Sequence, residues 1–119
     1  MELDAANPAF LARIVERFSA LADESRIRLL MRLKSSPANV GTLSAELGIG
    51  QASVSKHLGL LKRVGIVDCE RKGTQCIYFV KDQPIFNLCR LVCDGVTRHV
   101  EEEHAALMAG KPGKKGPKS

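Results

Sequence analysis

The chain has 119 residues, room for one domain with a modest core and too little for a deep catalytic pocket beside a second module. Hydrophobic residues at 45% and charged residues at 26% exclude a disordered polypeptide. Eighteen Lys and Arg against thirteen Asp and Glu give a net charge of +5, which points to an anionic partner. Four of those lysines lie between Gly110 and Ser119, and without them the net charge falls to +1, so an anion-binding surface must come from placement. Residues 1–109 are therefore expected to form the folded domain, and 110–119 a disordered basic tail rich in Gly, Pro and Lys.

Asn7-Pro8 is an N-cap followed by proline at the first helical position, and Phe10, Ile14, Val15 and Phe18 recur at helical spacing, predicting a helix over about 8–20. Asp23 caps a second helix with Ile27, Leu30, Met31 and Leu33 on its apolar side, stopped by Ser35-Ser36-Pro37. Two short helices follow from Asn39. The first carries Leu43 and Leu47 and ends at Gly48, and the second runs from about Gln51 to Arg63 with Val54, Leu58 and Leu61 inward and Gly65 just past its end. Joined by Gly48-Ile49-Gly50, they match a helix-turn-helix. Ile66 to Arg71 and Gln75 to Val80 are β-prone runs around Lys72-Gly73-Thr74, predicting a hairpin. Pro84 opens a long helix to about Met108, with Ile85, Leu88, Cys89, Val92, Val96 and Val100 along one side. The expected fold is mainly α with one small β-hairpin, in the order α-α-α-α-β-β-α of a winged helix-turn-helix.

On the 51–63 helix the inward residues leave Gln51, Ala52, Ser55, Lys56, Gly59 and Arg63 on the opposite face. A recognition helix presents its N-terminal side chains to base edges in the major groove. Gln51 suits adenine, Lys56 guanine or phosphate, and Ala52 a thymine methyl, while Ser53 and Ser55 suit bases or phosphate. His57 lies between Val54 and Leu61 and is open to two readings, a structural histidine satisfied by hydrogen bonding or a phosphate contact. At the hairpin tip Arg71, Lys72 and Thr74 could reach the DNA backbone or minor groove, although a charged tip also simply keeps a turn soluble. The partners expected are double-stranded operator DNA and a second copy of the chain.

Three segments carry a resemblance to a known family. They are Leu21-Ala22-Asp23-Glu24-Ser25-Arg26-Ile27-Arg28-Leu29-Leu30, Leu47-Gly48-Ile49-Gly50-Gln51-Ala52-Ser53-Val54-Ser55-Lys56-His57-Leu58, and Leu61-Lys62-Arg63-Val64-Gly65-Ile66-Val67, followed by Arg71-Lys72-Gly73 at the wing. In this order and spacing, over about residues 8–108, the chain resembles the ArsR/SmtB repressors. The resemblance implies a homodimer built on the first and last helices, repression of a nearby operon from a palindromic operator, and release when an effector binds. The family's Cys-x-Cys motif is absent, since the corresponding stretch reads Thr42-Leu43-Ser44-Ala45-Glu46-Leu47. Its zinc-type site on the last helix would retain His99-x-x-Glu102 but place its other half on Phe86 and Leu88, which cannot ligate. His99, Glu102, Glu103 and His104 are accordingly expected to be a solvated helix end.

The four cysteines remain. Cys89 and Cys93 share one helix face, and across a dimer axis four sulfurs could gather to bind a soft metal or metalloid ion, or respond to oxidants or persulfides. Cysteine is also among the most buried residue types, and packing is the competing reading. If the hairpin turns at Lys72-Gly73, Arg71 pairs with Thr74, Glu70 with Gln75 and Cys69 with Cys76, within disulfide reach. No apolar run is long enough to span a bilayer, and the acidic start Met1-Glu2-Leu3-Asp4 is unlike a signal peptide, so a cytoplasmic protein with reduced thiols and no membrane contact is expected. No nucleotide-binding glycine motif or nucleophile constellation supports an enzyme. The alternatives to a thiol-responsive repressor are a DNA-binding regulator without a thiol effector and a thiol buffer or metal carrier.

Overall fold

The structure, a computed structural model, describes residues 2–5 and 7–110, so all but the first residue of the expected tail lies outside the described residues. After a three-residue 3₁₀ turn at Leu3–Ala5 the elements are α1 (Pro8–Leu21), α2 (Glu24–Ser35), α3 (Val40–Leu47), α4 (Gln51–Arg63), β1 (Val67–Lys72), β2 (Gln75–Val80) and α5 (Ile85–Met108). This is the predicted order, a mainly helical chain with a two-stranded antiparallel wing. The chain divides into two units, one ending at Asp82 and one beginning at Gln83.

Three of the helices in the first unit start by the same chemistry. Asn7, Asp23 and Asn39 each hold an extended backbone and accept, through a side-chain oxygen, the amide of the residue three positions on, at 2.9, 3.0 and 2.8 Å. Each cap satisfies an amide that the first turn leaves without a partner. The core gathers Leu29, Leu30 and Leu33 of α2, Leu43 of α3, Val54, Leu58 and Leu61 of α4, Ile66, and Val67 and Val80 of the wing. The predicted inner face of α4 is reproduced residue for residue. On α2 the apolar face is rotated from the one predicted: Leu29 is fully buried whereas Met31 is exposed, because α3, α4 and β2 all pack on this helix and decide which of its many apolar residues turn inward.

The hairpin register corrects the sequence reading. Lys72 pairs with Gln75, Arg71 with Cys76 and Cys69 with Tyr78, so the two-residue turn is Gly73-Thr74 and the expected Cys69–Cys76 pairing does not form. Gly73 has φ 64° and Thr74 does not share the positive φ, the pattern of a type II′ turn with glycine at its first central position. Moving the turn by one residue shifts every partner by two, and the register is fixed from outside the hairpin. Tyr78 exchanges backbone hydrogen bonds of 2.9 and 3.1 Å with Ala38 in the α2–α3 connection, and Val67 and Val80 are both buried. Asn39 adds a side-chain bond of 3.1 Å to Gln75.

The second unit is α5, 24 residues and thus about 36 Å long. Leu91, Val92, Val96 and Val100 are exposed along it, Cys89 is half-buried and Cys93 exposed. His99 lies 2.8 Å from Glu103 one turn on, and His99, Glu102, Glu103 and His104 are all exposed, as expected of a solvated helix end. Among the described residues no helix is long and apolar enough to cross a membrane.

Candidate nucleic-acid interface

The geometry of α4 begins at the turn before it. Gly48 closes α3 in the left-handed region at φ 67°, the backbone N–H of Gly48 bonds to the Ser44 carbonyl at 3.0 Å, and the Ser44 hydroxyl donates to the Ile49 carbonyl at 2.5 Å. From α2, Arg28 donates to the Leu47 carbonyl at 2.8 Å. These bonds satisfy carbonyls that the end of α3 would leave open and fix the angle at which α4 departs. A second brace joins α2 to α3, where Arg32 is hydrogen-bonded to Glu46.

Along α4 the burial pattern separates two faces. Val54, Leu58 and Leu61 expose no surface, whereas Gln51, Ala52, Ser53, Ser55, Lys56 and Gly59 are all exposed. The helix opens at Gly50 without a side-chain cap. Its first amides are thus available to a ligand together with the polar side chains beside them. At the tip of the wing Arg71, Lys72 and Thr74 are likewise exposed. Among the described residues, none of these six cations and polar groups, Gln51, Ser55, Lys56, Arg71, Lys72 or Thr74, is tied into a hydrogen bond or ion pair, which leaves them open to an external partner.

Two predicted site residues are placed differently. His57 is half-buried, and Arg26 brings a guanidinium nitrogen to 3.2 Å from its Nδ1. The same arginine donates to the carbonyls of Ala20 at 2.6 Å and Ser19 at 3.3 Å, and lies 3.9 Å from Asp23. Arg26 thereby joins the end of α1, the start of α2 and the middle of α4, and His57 is one of its anchoring points. An arginine can only donate, so the Nδ1 it faces accepts and the imidazole carries its proton on Nε2. Arg63 stands at the far end of α4 from Gln51, about 18 Å along the helix axis, with Glu16 of α1 at 3.7 Å. It is not brought together with the other predicted contacts. The sequence reading missed Arg26, and the only signal for it was its position three residues after the Asp23 cap.

Wing and α1 are secured around this helix. Arg17 of α1 lies 2.5 Å from Asp82 and donates to the Val64 carbonyl at 3.0 Å, just past the end of α4. The hydrogen bond from the Arg26 backbone N–H, opposed by burial and assisted by the Arg26 charge, holds the Asp23 carboxyl below the usual carboxylate range. On the wing, Cys69 lies 3.4 Å from Nζ of Lys62 near the C-terminal end of α4. Cys69 and Cys76 are half-buried on the wing and all four thiols are free. Among the described residues no three His, Cys, Asp or Glu side chains converge as a metal site within one chain.

Comparison with known proteins places this geometry. Residues 23–68 match the family described as "Bacterial regulatory protein, arsR family", a span that runs from the α2 cap through the helix-turn-helix into β1. The chain is 34% identical over 90 residues to a transcriptional repressor SmtB homolog of Synechocystis, covering 76% of this chain and 65% of that protein. It is 30% identical over 101 residues to the HTH-type transcriptional regulator NmtR of Mycobacterium tuberculosis, covering 85% of this chain and 81% of that one. Among solved structures, the homodimeric winged helix-turn-helix DNA-binding domain Mb0332 of Mycobacterium bovis superposes with a TM-score of 0.71 at 25% identity, over 84% of this chain and 94% of that one.

Proposed function

The chain belongs to the arsR family of bacterial regulatory proteins, a family of transcriptional regulators rather than enzymes, and from that membership we propose that it is a cytoplasmic repressor that binds a palindromic operator as a homodimer. The observation that carries the reading is the two-faced α4, whose Gln51, Ala52, Ser53, Ser55 and Lys56 are open to a partner while Val54, Leu58 and Leu61 lock the opposite face into the core. In the major groove Gln51 pairs bidentately with adenine, Ala52 meets a thymine methyl, and the serines and Lys56 divide between base edges and phosphate. Arg71, Lys72 and Thr74 carry the wing to the flanking backbone. His57 acts through Arg26 as a positioning residue, and Arg63 reaches phosphate only by leaving Glu16.

Dimerisation is supported by apolar surface that a lone chain leaves in water. On α1, Phe10, Leu11, Val15 and Phe18 are exposed, and on α5 so are Leu91, Val92, Val96 and Val100. Patches of this kind mark interaction surfaces, and the related Mb0332 domain is homodimeric. A two-fold dimer presents two recognition helices to half-sites about one helical turn apart, or a multiple of it. Light scattering of the free protein and gel shifts on DNA upstream of its own gene test the proposal together. A dimer that shifts the DNA as a two-fold complex supports it, and a monomer that binds one half-site tightly overturns it.

A thiol signal at Cys89 and Cys93 is the finer part of the proposal. The two residues are one turn apart on α5, with Cys93 exposed beside the apolar row of Val92 and Val96, so a dimer built on that row would bring four sulfurs close to its axis. Binding a soft metal or metalloid ion, or oxidation of the thiols, would then change the dimer angle and release DNA. Cys89→Ser and Cys93→Ser variants should repress but fail to respond. A wild-type complex that survives arsenite, cadmium, peroxide and persulfide would make these cysteines packing residues of a regulator without a thiol effector.

A further inference from the structure

The wing carries a second pair of thiols whose arrangement follows from the observed register. Its inner face starts buried at Val67 and Val80, continues with Cys69 opposite Tyr78, and ends with Arg71 opposite Cys76. Cys69 and Cys76 are therefore diagonal neighbours on one face, each beside Tyr78. Burial first, and then the nearness of both cysteines, pushes the Tyr78 phenol up. The right-handed twist of a tight hairpin draws together this diagonal, from a residue on the first strand to the residue nearer the turn on the second. From α4, Lys62 places Nζ 3.4 Å from the Cys69 sulfur and 4.0 Å from an Asp68 oxygen. The hydrogen bond to Cys69 and the charge of that group raise the Lys62 ammonium above its ordinary value.

A diagonal separation of about 7–8 Å between Cα atoms is too long for a disulfide, which needs roughly 4.4–6.8 Å. It is not too long for two sulfurs held on opposite sides of one ion. Metal–thiolate bonds of about 2.3 Å set such sulfurs about 4.6 Å apart, a distance that two cysteines leaning toward each other across this diagonal can reach. We propose that Cys69 and Cys76 form a two-thiolate site for a single soft monovalent cation of linear coordination, of the copper(I) and silver(I) class. On binding, two S–H bonds break, two metal–sulfur bonds form and two protons pass to the solvent, with no change of oxidation state. The resulting centre carries one negative charge, and Lys62 and Arg71 stand beside it to balance that charge. No third Cys, His, Asp or Glu joins the pair among the described residues, which disfavours ions that demand four protein ligands.

The test uses the full chain with Cys89→Ser and Cys93→Ser, titrated with silver(I) against a chromophoric competitor chelator. One ion per chain is expected, and Cys69→Ser or Cys76→Ser added singly should each weaken binding by roughly 100-fold or more, the loss of a chelating second bond. Two ions per chain, or single variants that bind as tightly as the parent, overturn the site. A second measurement leaves the wing unsubstituted. In the chain with Cys89→Ser and Cys93→Ser, one equivalent of silver(I) should protect Cys69 and Cys76 from alkylation together, read by peptide mass spectrometry, and protection of one without the other, or of neither, refutes a shared ion.

Discussion

Glycine-to-alanine changes at two positions around the reading helix should have opposite signs. Gly48 sits at φ 67° and an added Cβ would meet nothing within 4 Å, so the cost of Gly48→Ala is purely conformational. An L-residue in the left-handed region costs about 1–2 kcal/mol, offset by about 0.4–1 kcal/mol from a less flexible unfolded chain. The net loss is therefore about 1 kcal/mol. Gly59 lies within α4, where a Cβ again meets nothing within 4 Å, and its helical backbone suits alanine. Gly59→Ala should thus gain about 0.5–1 kcal/mol. Urea denaturation at one fixed protein concentration, followed by far-UV circular dichroism, measures both, and the concentration must be held because association would add to apparent stability. A Gly48→Ala protein as stable as the wild type would refute the assignment of that turn, and a destabilised Gly59→Ala protein would refute the open space on that face. DNA binding separates from stability here, because Gly59→Ala puts a methyl on the exposed side of α4. If that side enters the major groove, the more stable variant is the weaker binder.

Gln51→Ala should lose roughly 1–3 kcal/mol at one operator position while sparing other sequences, whereas Arg71→Ala and Lys72→Ala should weaken all sequences alike and flatten the salt dependence. Anisotropy titrations across a range of salt concentrations distinguish the two, and an unchanged salt slope would remove the wing from the interface. Leu58→Ala empties a fully buried position and should cost about 2–5 kcal/mol, seen as a lower denaturation midpoint with an unaltered slope. For Asp23, a carboxyl held low in the folded state stabilises fully above its unfolded value near pH 4, and that contribution disappears as the pH falls through the lower folded value. Asp23→Asn keeps the cap but not the titration, so its thermal midpoint should fall less steeply below about pH 4 than that of the wild type. Parallel acid limbs would show that Asp23 does not contribute to acid sensitivity.

What the amino-acid sequence determines by itself is everything written in local chemistry. Asn7-Pro8, Asp23 and Asn39 announce helix starts because the cap and the amide it satisfies are three residues apart. Gly48 announces the turn because α3 ends there in a conformation that suits glycine, and the spacing of Val54, Leu58 and Leu61 divides α4 into a core face and an open face before any fold is known. Tertiary structure decided what depends on residues distant in the chain. The turn Lys72-Gly73-Thr74 accommodates glycine at either central position, and the bonds between Ala38 and Tyr78, with Val67 and Val80 drawn into the core, select the register that sets Cys69 diagonal to Cys76. Leu29 rather than Met31 turns inward because α3, α4 and β2 pack on that side of α2, a demand that a helix with apolar residues on several sides does not reveal alone. Arg26 meets His57 across 31 positions and Arg63 meets Glu16 across 47, and a charged side chain leaves no periodic trace of a partner that only folding brings beside it.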